Sequence, residues 1–138
     1  LTEYLEYIPS VWPTESTYIG SYFGLRWHPV LEVLKEHTGT DLGGSYGDDI
    51  YAAASGTVTM SRYNSGYGYM IRIDHGEGIE TYYGHASKLL VKEGEDVEKG
   101  QVIALVGSSG ISTGPHLHFE IRIDDVPVDP LPFINGGE

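Results

Sequence analysis

His116-Leu117-His118-Phe119-Glu120-Ile121-Arg122-Ile123-Asp124 alternates between apolar and polar side chains from end to end. Leu117, Phe119, Ile121 and Ile123 fall on one face. His116, His118, Glu120 and Arg122 fall on the other. A period of two is the mark of a half-buried β-strand, and four apolar anchors hold its polar face rigidly. Two positions apart on such a strand, His116 and His118 project from the same side, with Cα atoms ~6.5–7 Å apart at a rise of ~3.3 Å per residue. That spacing lets both imidazoles bind one metal ion. It equally lets one bind while the other reaches the water or substrate beside it. Geometry alone does not choose.

Outward from this strand the chain reads as more short strands joined by turns. Glycine (19) and tyrosine (11) are abundant and the apolar runs are short, which favours β structure. Val58 to Tyr63 reads as a strand, Asn64-Ser65-Gly66 as a turn, and Tyr69 to Asp74 as the returning strand. His75-Gly76-Glu77-Gly78 turns the chain again, and Ile79 to His85 completes an antiparallel meander. Ala86 to Gly100 reads as a loop. Val102 to Val106 reads as a buried strand, Gly107 to Pro115 as a loop, and Val126 to Leu131 as an edge strand or coil. Helix signals are poor: Pro29 to Glu36 and Thr2 to Tyr7 are the two short candidates. The expected fold class is mainly β, with antiparallel sheets and little helix.

The 138 residues fit a single domain, read as 23–138, with 1–22 as a lead-in segment packed on it. No apolar run approaches the ~20 residues of a transmembrane helix, so no membrane contact is expected from this domain itself. The start at Leu1 reads as a processed or truncated piece of a longer exported or membrane-anchored protein. There is no cysteine, which excludes disulfides, thiolate metal sites and cysteine nucleophiles. The formal charge is −12 with 8 Lys and Arg, too few cations for a nucleic-acid surface. Glu93, Glu95, Asp96 and Glu98 crowd one stretch that reads as a solvated acidic surface.

A second motif, His37-Thr38-Gly39-Thr40-Asp41, supplies a third imidazole and a carboxylate. His37 and Asp41 would share a face on a helix, but Gly39 and the Gly43-Gly44 pair argue against one. A looped backbone can still fold both side chains around one ion. Imidazole nitrogen and carboxylate oxygen are ordinary zinc ligands, and three of them with one open position suit a catalytic zinc. Calcium would want more oxygens. His85, at the end of its strand beside a loop, is placed for acid–base work, with an unperturbed pKa of ~6.5. No His-Glu-x-x-His motif is present, so a histidine must take the general-base role. His28 and His75 read as structural. Glu120 either pairs with Arg122 or braces a metal ligand from behind. Tyr83, pointing the same way as His85, reads as cleft wall or core.

These residues match a family. From about Phe23 to Ile134 the chain resembles the lysostaphin-type peptidoglycan metallopeptidases, the LytM-like or M23 family. The matching segments are His37-Thr38-Gly39-Thr40-Asp41, Ile50-Tyr51-Ala52, Gly56-Thr57-Val58, Asp74-His75-Gly76, Tyr83-Gly84-His85, Gly100-Gln101-Val102-Ile103 and Gly114-Pro115-His116-Leu117-His118-Phe119-Glu120. The first and last together are highly specific. One departure is minor: Gly84 stands where many members have alanine.

The resemblance implies that His37, Asp41 and His118 are zinc ligands and that His85 and His116 are catalytic. It implies a groove in an antiparallel β fold with Zn2+ at its floor, and hydrolysis of peptide bonds in the cross-links or cross-bridges of bacterial peptidoglycan. The water attacking that bond would be activated by zinc, with the two catalytic imidazoles handling protons. An extracellular or cell-wall location follows. The scissile bond depends on the loops Gly43 to Asp49, Tyr63 to Gly68 and Gly107 to Thr113. Two other readings compete. Val91 to Ile103 resembles a lipoyl or biotinyl hairpin, but no lysine there sits beside a methionine. A scaffolding protein of the same fold, in the cell wall, sporulation or division, would keep zinc and turn over little.

Overall fold

The computed structural model describes residues 7–16, 19–21, 24–28, 33–37, 39–108 and 115–135, with the backbone alone described for 20–21, 24–28, 33–37 and 135. The strands are β1 (Ile19–Ser21), β2 (Gly24–His28), β3 (Val33–His37), β4 (Thr40–Gly43), β5 (Asp49–Tyr51), β6 (Gly56–Asn64), β7 (Gly68–Gly76), β8 (Ile79–Leu89), β9 (Asp96–Val97), β10 (Val102–Val106), β11 (His116–Ile123) and β12 (Val126–Val128). One short helix, α1 (Leu131–Asn135), follows them. Ten strands form one sheet along the path β1-β4-β11-β8-β7-β6-β9, with β10 joining β5 to β8 and β12 on β11; β2 and β3 pair separately. All of these pairings are antiparallel. The mainly β, antiparallel, helix-poor class expected from the sequence is the class observed.

The alternating strand sits at the centre of the sheet. β11 pairs with β4 on one side and β8 on the other. Leu117, Phe119 and Ile121 are fully buried and pack with Leu42, Ile71, Ile73, Tyr83, Ile103 and Val106. Two tight hairpins frame the meander. Glu77 (φ 53) and Gly78 (φ 77) link β7 to β8, and Asp124 (φ 51) and Asp125 (φ 66) link β11 to β12. Two consecutive left-handed residues make a type I′ turn, whose twist matches that of the strands it joins.

Three expectations need correction. Val33–His37 is a strand paired with β2, where a short helix over Pro29 to Glu36 was expected. Val30, Leu31, Val33 and Leu34 would fall on one helical face, but the run is only about two turns long, too short to hold a helix by itself, and pairing with β2 satisfies its backbone instead. The stretch expected as a loop from Ala86 contains the end of β8, which runs to Leu89 because β10 pairs with it there, and it also contains β9. The chain after β12 closes with α1. The Asp129 carboxylate accepts the Leu131 N–H at 3.1 Å as an N-cap, and Ile134 is buried in the core. The other helix candidate, Thr2 to Tyr7, lies outside the described residues apart from Tyr7, which is in a turn.

The described part of the lead-in lies against the sheet. Ser10 and Val11 N–H groups reach the Ala53 carbonyl at 3.0 and 3.2 Å, and the Tyr51 N–H reaches the Pro13 carbonyl at 2.8 Å. Trp12 packs on the core.

Candidate functional site

The site grows from one register. Asp41 on β4 stands directly opposite His118 on β11, and Gly84 on β8 stands opposite His118 on the other side. Facing residues in adjacent strands have neighbouring Cβ atoms, so Asp41 Oδ1 lies 2.9 Å from His118 Nδ1. The second imidazole of β11, His116, places Nε2 3.7 Å from the same carboxylate oxygen.

His85 joins them by a break in the pairing. Tyr69 pairs with Ala86 and Ile71 with Tyr83, so β8 carries an extra residue there. His85 itself has φ 65. Such a bulge re-aims a side chain. Regular alternation would put Tyr83 and His85 on one face. Instead Tyr83 turns into the core, its ring 5.4 Å from that of Phe119, while the His85 ring lies 4.9 Å from His116 and 6.0 Å from His118. Tyr83 is therefore core, and β8 runs on past His85 rather than ending at it.

Behind His118 is a buried carboxylate. Glu120 is wholly inaccessible to solvent. Its Oε2 lies 2.8 Å from His118 Nε2 and accepts the Tyr67 hydroxyl proton, and its Oε1 accepts from Arg122 Nε at 2.9 Å. Both readings of Glu120 hold at once: it pairs with Arg122 and it braces His118. Burial pushes the Glu120 carboxyl up, but hydrogen bonds from His118, Tyr67 and Arg122 outweigh it and hold the group at about 2. Burial pulls the His118 imidazole down, but Asp41 and Glu120 together hold it at about 9. Burial, then the bond to Glu120, pushes the Tyr67 phenol up to about 12, so it keeps its proton and donates it.

Gly39 shows why the first motif carries a glycine. A Cβ there would lie 2.6 Å from Glu120 Cγ and 3.1 Å from His118 Nε2. The residue is buried, and its missing side chain lets the chain leading to Asp41 pass over the back of His118.

The donor set fits a metal ion. With Nε2 of His118 held by a carboxylate, Nδ1 is the nitrogen turned toward Asp41, and a carboxylate behind a ligating imidazole fixes its tautomer and raises its basicity. The backbone of His37 closes β3; its side chain lies outside the described residues, as does that of His28. Among the described residues no group of three or more metal-binding side chains gathers at one point. His75, by contrast, is structural: its ring lies 2.7 Å from the Ser55 carbonyl and 2.8 Å from Thr81 Oγ1. Sequence reasoning missed Tyr67, which belongs to no motif and lies 53 residues from its partner Glu120.

A buried imidazole thus stands between two carboxylates, with two more imidazoles alongside. The model of Peptidase family M23 matches residues 35–130, and the chain belongs to that family. The DD-carboxypeptidase/endopeptidase Mpg of Neisseria meningitidis serogroup B is 44% identical over 119 residues, covering 86% of this chain and 27% of the relative. The peptidoglycan DD-endopeptidase ShyA of Vibrio cholerae is 41% identical over 106 residues, 77% of this chain and 25% of the relative. The crystal structure of a zinc-containing peptidase from Vibrio cholerae superposes with a TM-score of 0.85 at 37% identity, covering 90% of this chain and 39% of that one. The chain thus spans about a quarter of the length of the curated relatives it matches.

Proposed function

We propose that this chain is the catalytic domain of a zinc-dependent endopeptidase that hydrolyses peptide bonds in peptidoglycan cross-links or cross-bridges, acting at the bacterial cell wall outside the cytoplasmic membrane. The observation that carries the reading is the line Asp41–His118–Glu120 with His85 and His116 beside it. The names of the relatives supply the substrate class. Among the described residues no helix is long and apolar enough to cross a membrane.

His37, Asp41 and His118 would hold the ion. When bound, zinc supplies Lewis acidity and lowers the pKa of water toward ~7. His85 and His116 handle protons. One accepts the proton of the attacking water, and the other stabilises the developing oxyanion or protonates the leaving amine. His116 is the more open of the two: its side chain is 21% exposed, while His85 is buried. Glu120 keeps the His118 ring in one tautomer and one orientation.

The test is digestion of purified sacculi and of defined cross-linked muropeptides, with products read by mass. Cleavage that stops with a chelator and returns with zinc supports the reading. Binding to sacculi without cleavage would favour the scaffolding alternative. Undiminished hydrolysis by His116→Ala would sink the site assignment.

A further inference from the structure

We propose that Tyr67 is a positioning residue for this site, holding His118 through Glu120 and His85 through its own backbone carbonyl. The inference rests on the reading of His118 as a metal ligand and His85 as an acid–base group.

Tyr67 reaches the two halves of the site by separate routes. Its hydroxyl donates to Glu120 Oε2, the same oxygen that lies 2.8 Å from His118 Nε2. Its ring lies 5.5 Å from the His118 ring, tilted at 48° to it. Its carbonyl accepts the His85 N–H at 2.6 Å. His85 has φ 65, a backbone state that costs a non-glycine residue of order 1 kcal/mol or more and persists only where surroundings impose it. The bond to Tyr67 is one such constraint.

The turn carrying Tyr67 is itself held. Asn64 Oδ1 accepts from the N–H groups of Gly66 at 2.9 Å and Tyr67 at 3.2 Å. Opposite His118, Gly84 leaves the room that Tyr67 occupies: a Cβ there would lie 3.1 Å from Tyr67 Cδ1 and 3.4 Å from its carbonyl oxygen. The hydroxyl route can be cut alone: Tyr67→Phe removes the hydroxyl and keeps the carbonyl.

The experiment uses the 138-residue chain and three readouts. Nitrogen NMR of the imidazoles, on zinc-loaded protein at a single pH, should show one fixed tautomer for His118 in the parent and exchange between states in Tyr67→Phe. Zinc affinity by chelator competition should fall about 10-fold in Tyr67→Phe, the scale for residues behind a metal ligand. Turnover should fall in Tyr67→Phe with KM little changed. A purely structural role would lower the urea midpoint and leave tautomer and zinc affinity at parent values, and that result overturns the proposal. If the parent cleaves no peptidoglycan, the proposed function fails while the NMR and zinc readouts still decide this one.

Discussion

Asp41 Oδ1 and His118 Nδ1 lie 2.9 Å apart across the β4–β11 pairing, on residues in direct register. The contact joins two motifs separated by 77 positions in the chain. It also tests the metal assignment. A ligand that binds only the folded state stabilises it by about 2.7 kcal/mol at one hundred times its dissociation constant. Zinc should therefore raise the thermal midpoint of the parent, and a chelator should reverse the shift. Asp41→Ala should abolish the zinc-dependent shift. A full zinc shift in Asp41→Ala, read by calorimetry, would remove Asp41 from the metal site.

Gly39 makes a sharper structural prediction. Its absent Cβ would meet the Phe119 carbonyl at 2.5 Å and Glu120 Cγ at 2.6 Å. Neither can move far, since one is strand backbone and the other a buried, fully bonded carboxylate. Gly39→Ala should cost about 1–3 kcal/mol in urea unfolding, the usual scale of overpacking. It should also weaken zinc binding, because the displaced groups hold His118. Wild-type stability would show that β4 shifts freely and that the motif glycine has another purpose.

Much of this architecture was legible in the sequence, for reasons particular residues make clear. β11 could be read because four apolar residues alternate with four polar ones and the core takes one set whole. β10 and the β6–β7–β8 meander could be read from apolar segments between glycine turns. His85 could be singled out, but its direction could not. A bulge adds one residue to β8, and one residue reverses the face. β3 defeated the reading because Val30, Leu31, Val33 and Leu34 are spaced as on a helix, while strand pairing is decided by a partner the local sequence does not display. Tyr67 stayed hidden for a similar reason: its importance lies in contacts made across 53 positions.

His75 gives the pH prediction. Burial lowers its pKa most; the Ser55 carbonyl and Asp74 push the other way, and Lys99 adds to the lowering. A carbonyl can only accept, so Nδ1 carries the proton and Nε2 accepts from the Thr81 hydroxyl. Thr81 Oγ1 also lies 2.8 Å from the Tyr83 hydroxyl, whose oxygen accepts the Ala53 N–H at 2.9 Å. Burial favours the neutral ring. With its folded pKa below the unfolded value of ~6.5, the unfolded chain binds more protons in that window. The contribution is fully present above pH ~6.5 and is lost as pH falls toward the depressed folded value. The slope is at most about 1.4 kcal/mol per pH unit. Urea midpoints of the parent should fall more steeply below pH ~6.5 than those of His75→Gln. Parallel curves would mean that His75 titrates alike in both states.

His85 and His116 should separate chemistry from metal binding. Their rings lie 4.9 Å apart, yet they arrive from different strands: His116 from the start of β11, His85 from the bulge in β8. Neither has its ring in the Asp41–His118–Glu120 line. Each alanine variant should keep the zinc content of the parent and lose about 10²–10⁴-fold in turnover, the range for a positioned acid or base. The double variant should fall by less than the product of the two losses, because groups acting on one proton path are not additive. Muropeptide cleavage rates and metal analysis on the same preparations check this. Loss of zinc from His85→Ala alone would make His85 a ligand and reassign the site.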